Sequence, residues 1–160
     1  MELSTPIIMA AIFFSRTGIK LSAILKEKKT ATSTWYKDSC LDPLLQQWEK
    51  EHPKSGLKYL KLHHDNAPVH SSALITGFLK TRKVDLLPHP PYSPDLAPCD
   101  FWLFPKLKQK LKGKRYTSTN ELIQDWETNL NNLTTSDFKV AFQEWIKRCQ
   151  MVLLKNGDYI

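Results

Sequence analysis

The stretch "LKYLKLHHDNAPVH" (57–70) decides the fold, because its alternating apolar residues end in a carboxylate and pass directly into a helical pattern. Alternation of apolar and polar residues up to Leu62 predicts a half-buried β-strand over 57–65. The apolar spacing of "SSALITGFLKTRK" (71–83) predicts a helix. Asp65 therefore comes at the carboxyl end of a strand, which is the edge of an α/β sheet where ligands usually bind.

Four other segments are expected to complete the sheet. "IIMAAIFF" (7–14) and "IKLSAIL" (19–25) flank a Thr-Gly turn and predict an antiparallel hairpin. Clustered threonines in "KKTATST" (28–34) favour a third short strand, and "VDLLPHP" (84–90) begins as another before proline ends it. This order predicts an α/β fold, with a mixed sheet flanked by helices.

Helical spacing and capping residues predict four further helices. They lie in "WYKDSCLDPLLQQWEKEH" (35–52), "CDFWLFPKLKQKLKG" (99–113), "STNELIQDWETNLNNL" (118–133) and "TTSDFKVAFQEWIKRCQMVLLKNG" (134–157). Their tryptophans are expected to pack in the core rather than to stack on bases: Trp102, Trp126 and Trp145. Five prolines between residues 88 and 98 predict a rigid connector. One domain is expected over residues 1–160.

The composition favours a polyanionic partner. Lysine and arginine number 23 against 16 acidic residues, giving a formal charge of +7 and an isoelectric point near 9.3. Such a surface suits nucleic acid better than an acidic protein or a small-molecule substrate. The apolar run 6–14 is too short to span a membrane, and three cysteines without a CxxC pair fit a reducing compartment.

Two aspartates stand where a metal site is expected. Asp65 ends the predicted strand, and Asp100 begins the helix that follows the proline segment. Carboxylates that meet at the mouth of a sheet repel one another unless a divalent cation neutralises them, and oxygen ligands suit Mg²⁺ or Mn²⁺. The structural alternative is that Asp65 and Asn66 form an Asx turn and that Asp100 caps its helix.

The contexts of these two acids resemble those of mariner-type DNA transposases, of the DDE/D superfamily. "HHDNAPVH" (63–70) matches the family's H-D-N-A-P-x-H pattern around its second acid, and "SPDLAPCDF" (93–101) matches the S-P-D-L-A-P-x-D-[FYW] pattern around its third. Thirty-four residues separate Asp65 from Asp100, as in the family. The resemblance extends over nearly the whole chain, through "AFQEWIKR" (141–148).

The resemblance implies a ribonuclease-H-like fold, with Asp65 and Asp100 as metal-binding acids and Asp95 as a structural neighbour. It further implies Mg²⁺- or Mn²⁺-dependent DNA cleavage and strand transfer, as in transposition and DNA integration by a transposable element. DNA is then the partner, and the nucleus is inferred from that substrate alone.

The first acid of the family is missing from the matching position. Relatives place it in a context like F-F-D-x-x-G, and the corresponding stretch here is "FFSRTG" (13–18), with Ser15 at that position. A neutral hydroxyl is a poor ligand for Mg²⁺. Asp38 and Asp42 belong to the following helix and are not expected to substitute. We therefore expect weak or absent catalysis.

The missing acid leaves other roles open. One alternative is a catalytically inactive, transposon-derived module that binds nucleic acid, forms a homodimer or dimerises with intact transposase. A translated fragment without a selected role is another. The family's paired helix-turn-helix domains precede its catalytic domain, whereas this chain begins at the first predicted strand, so recognition of element ends is not expected.

A basic run is the candidate surface for DNA. It consists of Lys106, Lys108, Lys110, Lys112, Lys114 and Arg115. These side chains would neutralise phosphates without reading sequence, or would form a solvated helix face.

Two other constellations are weaker. A zinc site built from His63, His64, His70 and Cys99 has irregular spacing and a single thiolate. A triad of Ser93, His89 and Asp95 would crowd three groups into one proline loop.

Overall fold

Four strands organise the chain, of which the computed structural model describes residues 8–25 and 30–156. They are β1 (Met9–Ser15), β2 (Gly18–Leu25), β3 (Lys61–Leu62) and β4 (Asp85–Leu86). β1 and β2 form the predicted antiparallel hairpin, from Met9 opposite Leu25 to Ser15 opposite Gly18, with a register shift between Phe13 and Phe14. β3 and β4 pair in parallel in a second two-stranded sheet, so antiparallel and parallel ladders are both present and the α/β prediction is confirmed.

The prediction of a third strand over 28–34 is wrong for the described residues 30–34, which form no strand. Thr32 instead caps a helix, because its side chain accepts a hydrogen bond from the Trp35 N–H at 3.0 Å. Threonine favours helix N-caps as well as strands, and here the cap prevails. Residues 28 and 29 of that prediction lie outside the described part of the chain.

The strands predicted over 57–65 and 84–90 are each only two residues long. Turns occupy residues 53–59, and the Gly56 N–H donates to the carbonyl of His52 at 2.8 Å. Gly56 takes a φ of 56°, a conformation that favours glycine. After β4 the prolines remove the N–H groups that a longer ladder would need.

The helices follow the predicted segments closely, and one short additional helix precedes the segment predicted over 71–83. They are α1 (Ser33–Trp35), α2 (Asp42–Glu51), α3 (Pro68–Ser71), α4 (Ala73–Thr81), α5 (Phe104–Leu111), α6 (Thr119–Asn131) and α7 (Thr135–Leu154). Ser118 caps α6, and Thr134 with Asp137 forms a capping box at α7. No helix in the described ranges is long and apolar enough to cross a membrane.

Two of the predicted helices begin with a wider, π-helical turn, over Tyr36–Leu41 and Cys99–Leu103. Each leads into an α-helix whose second residue is proline, Pro43 in α2 and Pro105 in α5. Proline has no N–H to donate and its ring crowds the preceding turn. The residue before each proline donates its N–H five positions back, which widens that turn.

The hairpin separates two apolar clusters. Ala11 and Phe13 of β1 pack against the first cluster, which contains Tyr36, Cys40, Leu41, Leu44, Leu62, Ile75 and Leu79. Ile12 and Phe14, which alternate with them, belong to or pack against the second, which contains Leu103, Leu107, Trp126 and Leu130. Trp126 is buried and Trp102 packs on the same cluster, as core packing predicts. Helices therefore cover both faces of the hairpin.

Candidate active site

Asp65 lies beyond the end of β3, in the connection to α3. Its Oδ1 accepts hydrogen bonds from the Ala67 N–H at 3.0 Å and from His70 Nδ1 at 2.7 Å. Burial alone would raise the pKa of Asp65, but the Ala67 hydrogen bond and the charge and hydrogen bond of His70 outweigh it and lower the pKa. The Asx turn is therefore present, and His70 adds a second fixed donor to it.

An aromatic stack supports Asp65 and His70. The buried Tyr36 lies with its ring centroid 4.4 Å from that of His70, and the His64 and His70 rings stack at 4.8 Å and 10°. The Tyr36 hydroxyl is 2.8 Å from His64 Nδ1. Burial raises the pKa of Tyr36 and lowers that of His64 to about 4, so the tyrosine O–H donates to a neutral imidazole.

The segment around Asp65 is tied to the proline segment by three side chains, which we call the histidine clasp: His63, Asn66 and His89. Asn66 Nδ2 donates to the His89 carbonyl at 2.7 Å, and His63 Nε2 is 3.0 Å from His89 Nδ1. Burial and the neighbouring His89 lower the pKa of His63 to about 4. The His63 ring also lies 4.8 Å from that of Trp145.

Asp100 lies in the first turn of the π-helical segment and does not cap it. Pro98 is the N-cap residue, and no side chain caps this helix. Partial burial raises the pKa of Asp100, and the negative charge of Asp65 raises it further, whereas His89 and Lys108 act in the opposite direction. The negative charge of Asp65 thus acts on Asp100, and we call these two carboxylates the acid pair.

Ser15 is the last residue of β1, as predicted, but its described hydrogen bonds are local. Its Oγ is 2.9 Å from Thr17 Oγ1 and accepts from the Thr17 N–H at 3.2 Å. The end of β1 lies against the segment that carries Asp100, because the rings of Phe14 and Trp102 are 5.7 Å apart. None of the described hydrogen bonds joins Ser15 to the acid pair.

The other candidate acids are engaged elsewhere. Asp38 pairs with the adjacent Lys37 at 3.1 Å, and Asp42 pairs with Arg82 at 3.3 Å. Asp95 lies in a short 3-10 helix (Pro94–Leu96), and its carbonyl accepts a hydrogen bond from Arg148 at 3.3 Å. The ion pairs agree with structural roles for Asp38 and Asp42. The Asp95 side-chain Oδ1 is buried and has no hydrogen-bond partner among the described residues.

The alternative constellations do not form. Ser93 Oγ donates to the Pro91 carbonyl rather than to a histidine, so no nucleophilic triad is assembled. Cys99 Sγ donates to the Ile12 carbonyl at 3.8 Å, and burial raises the pKa of its thiol to about 12. Within residues 8–25 and 30–156, no group of three or more histidine, cysteine or acidic side chains is placed to hold a metal. The acid pair offers oxygen donors from two residues, which suit Mg²⁺ or Mn²⁺.

The basic run does not behave as one surface. Lys106 pairs with Asp137 at 3.7 Å and Lys114 with Asp125 at 3.0 Å. α5 ends at Leu111, so the last three members of the run lie beyond it. Lys108 is the member whose charge acts on Asp100.

Known proteins share both the sequence and the fold. The chain is 31% identical over 123 residues to the Mariner Mos1 transposase of Drosophila mauritiana, covering 74% of this chain and 35% of that protein. This chain is a homologue of the mariner transposases. It is also 28% identical over 153 residues to the human histone-lysine N-methyltransferase SETMAR, covering 95% of this chain and 22% of that protein. It therefore spans about a third or less of these relatives, and no family model matches it.

The ribonuclease-H-like fold is confirmed by solved structures. The catalytic domain of Mos1 mariner transposase superposes with a TM-score of 0.87 at 22% identity, covering 100% of this chain and 79% of that one. A Mos1 catalytic domain has been solved with Mg, and the Mos1 mariner paired-end complex has been solved with Mn. These metals and DNA ends are properties of Mos1.

Proposed function

We propose that residues 1–160 form one mariner-type catalytic domain in which Asp65 and Asp100 hold a divalent cation against a DNA phosphodiester. The sequence contexts of the two acids, which match the mariner pattern, carry the proposal. The charge of Asp65, which raises the pKa of Asp100, supports it, because a bound Mg²⁺ or Mn²⁺ would offset that repulsion. The metals in the Mos1 structures support this choice of ion.

The bound cation would supply the Lewis acidity that phosphodiester cleavage and transfer require. The chain's own contribution is positional. The Ala67 N–H and His70 hold Oδ1 of Asp65, which fixes the plane of the carboxylate. Tyr36 and His64 back the His70 ring and limit its movement.

We further propose that strand cleavage is impaired. Ser15 provides no charge to neutralise a metal, and its Oγ is already hydrogen-bonded to Thr17. This observation also favours the second candidate, an inactive module that binds DNA or dimerises with intact transposase.

DNA is the proposed partner, and the nucleus the proposed location because the substrate lies there. Lys108 is the basic residue best placed to meet a phosphate at the acid pair, whereas Lys106 and Lys114 already pair with acids. Binding of this kind is independent of sequence and falls with salt. The complexes that Mos1 forms with its transposon ends support the choice of partner.

Nicking of a supercoiled plasmid tests the proposal. We would compare the unchanged chain, Ser15→Asp, and Ser15→Asp combined with Asp65→Ala, each in Mg²⁺ and in Mn²⁺. We expect little nicking by the unchanged chain, a gain in Ser15→Asp, and loss of that gain in the double variant.

Two outcomes would contradict parts of the proposal. Nicking by the unchanged chain that Asp65→Ala removes would show that the site is active without an acid at position 15. Absence of nicking by Ser15→Asp would show that an acid at position 15 does not restore the missing ligand, and it would favour the inactive binding module.

A further inference from the structure

The backbone alone does not hold the two acids together. The parallel ladder of β3 and β4 ends where the Leu87 N–H donates to the Leu62 carbonyl at 2.7 Å. Asp65 lies three residues beyond Leu62, whereas Asp100 lies thirteen residues beyond Leu87. The proline segment has few N–H groups with which to extend the ladder. Side chains must therefore set the position of the second acid relative to the first.

The histidine clasp continues the connection where the ladder stops. Its two links join the side chains of Asn66 and His63 to the carbonyl and the imidazole of His89. Asn66 is adjacent to Asp65, so the shorter link acts directly beside the first acid. The charge of His89 also lowers the pKa of both carboxylates, so it lies within electrostatic reach of each.

We propose that Asn66, with His63 and His89, is a positioning residue that sets the separation of the acid pair and thereby the affinity for a divalent cation. This inference rests on the proposed metal site. Side chains that orient metal ligands typically change metal affinity by about 10- to 100-fold when they are removed.

Mn²⁺ titration followed by electron paramagnetic resonance tests the inference on the full chain. Asn66→Ala removes the link to the His89 carbonyl, and His89→Ala removes the link to His63. Asn129→Ala is the matched control, because Asn129 Nδ2 donates to the Asp125 carbonyl at 2.8 Å, in helix α6. We expect Asn66→Ala to weaken Mn²⁺ binding about tenfold and Asn129→Ala to leave it unchanged.

Amide hydrogen exchange provides a second readout that needs no metal. The N–H groups of Asp100 and Phe101 donate to the Ala97 carbonyl at 2.8 and 3.0 Å. Loosening of the proline segment should speed their exchange in Asn66→Ala and not in Asn129→Ala.

The outcomes separate this inference from the proposed function. If Asp65→Ala removes Mn²⁺ binding while Asn66→Ala binds as tightly as the unchanged chain, the clasp does not set the affinity. If the unchanged chain binds no Mn²⁺, the proposed metal site is wrong. The amide hydrogen exchange of Asp100 and Phe101 then tests by itself whether the histidine clasp positions Asp100. In either case, unchanged amide hydrogen exchange in Asn66→Ala would show that the histidine clasp does not position Asp100.

Discussion

The two acid-bearing segments differ in how the fold treats their carboxylates. Asp65 accepts two hydrogen bonds on one oxygen and has a lowered pKa. Asp100 accepts none that is described among residues 8–25 and 30–156, and its pKa is raised by burial and by Asp65. One acid is stabilised as an anion by its own surroundings. The other keeps a raised pKa although His89 and Lys108 act against the rise, and a bound cation would offset the remainder.

This difference indicates that the two carboxylates would contribute differently to cation binding. A carboxylate that is already oriented loses little conformational freedom when a ligand binds. A carboxylate that is destabilised in the free protein gains more when a cation arrives, and destabilised groups of this kind are typical of functional sites.

The largest expected effect comes from removing the apolar support of Asp100. Leu103 is fully buried one turn after Asp100, so Leu103→Ala should lower the free energy of unfolding by about 2–5 kcal/mol. Leu153→Ala is the control, because Leu153 is 78% exposed and should change stability by less than about 0.5 kcal/mol. Urea denaturation measures both, and similar values for the two variants would refute the burial of Leu103.

A smaller effect is expected at the hydrogen bond that stabilises Asp65. His70→Ala should raise the pKa of Asp65 and lower the free energy of unfolding by about 1 kcal/mol, because solvent screens the partly exposed Asp65 carboxylate. His52→Ala serves as the control, since His52 bonds the Trp48 carbonyl at the end of α2. Carboxyl ¹³C NMR titration follows the pKa, and an unchanged value in His70→Ala would show that His70 does not hold this acid.

Neutralising each acid should change stability in opposite directions. The pKa of Asp100 is higher in the folded than in the unfolded state, so this carboxyl favours folding at low pH and opposes it once pH rises above the folded pKa. Asp100→Asn should therefore stabilise the chain at neutral pH. A lowered folded pKa contributes stability above the unfolded pKa that is lost as pH falls, so Asp65→Asn should destabilise it. Each effect should stay below about 1 kcal/mol, because solvent screens both groups.

Thermal unfolding at neutral pH and near pH 3 tests this pair. The increase in thermal stability caused by Asp100→Asn should disappear near pH 3, because the Asp100 carboxyl is then protonated in both the folded and the unfolded state. A gain of the same size at both pH values would mean that charge is not its cause.

The smallest effect concerns the basic residue beside Asp100. Lys108→Gln should reduce the salt dependence of DNA binding by about one phosphate contact, a slope change of about 0.9. Lys106→Gln should change it less, because Lys106 already pairs with Asp137. Fluorescence anisotropy over a salt series compares the two, and equal slopes would contradict a special role for Lys108.

The hairpin and most of the helices could be predicted from the sequence, because they follow from local periodicity. The pairing of Asp65 with Asp100 at one metal site rests on two specific motifs and stays a prediction. The π-helical turns were missed, although Pro43 and Pro105 were their signal. Thr32 was misassigned because threonine suits strands and N-caps equally. The contacts of Tyr36 and His89 depend on residues more than twenty positions away, and no local pattern encodes them.

Whether one cation joins the two acids is tested most directly by calorimetric Mn²⁺ titration of Asp65→Asn and Asp100→Asn, with Asp95→Asn as a control acid from the same loop. We predict that either of the first two substitutions removes the binding that the unchanged chain and Asp95→Asn both retain. Binding that persists when either member of the acid pair is neutralised would contradict a shared metal site.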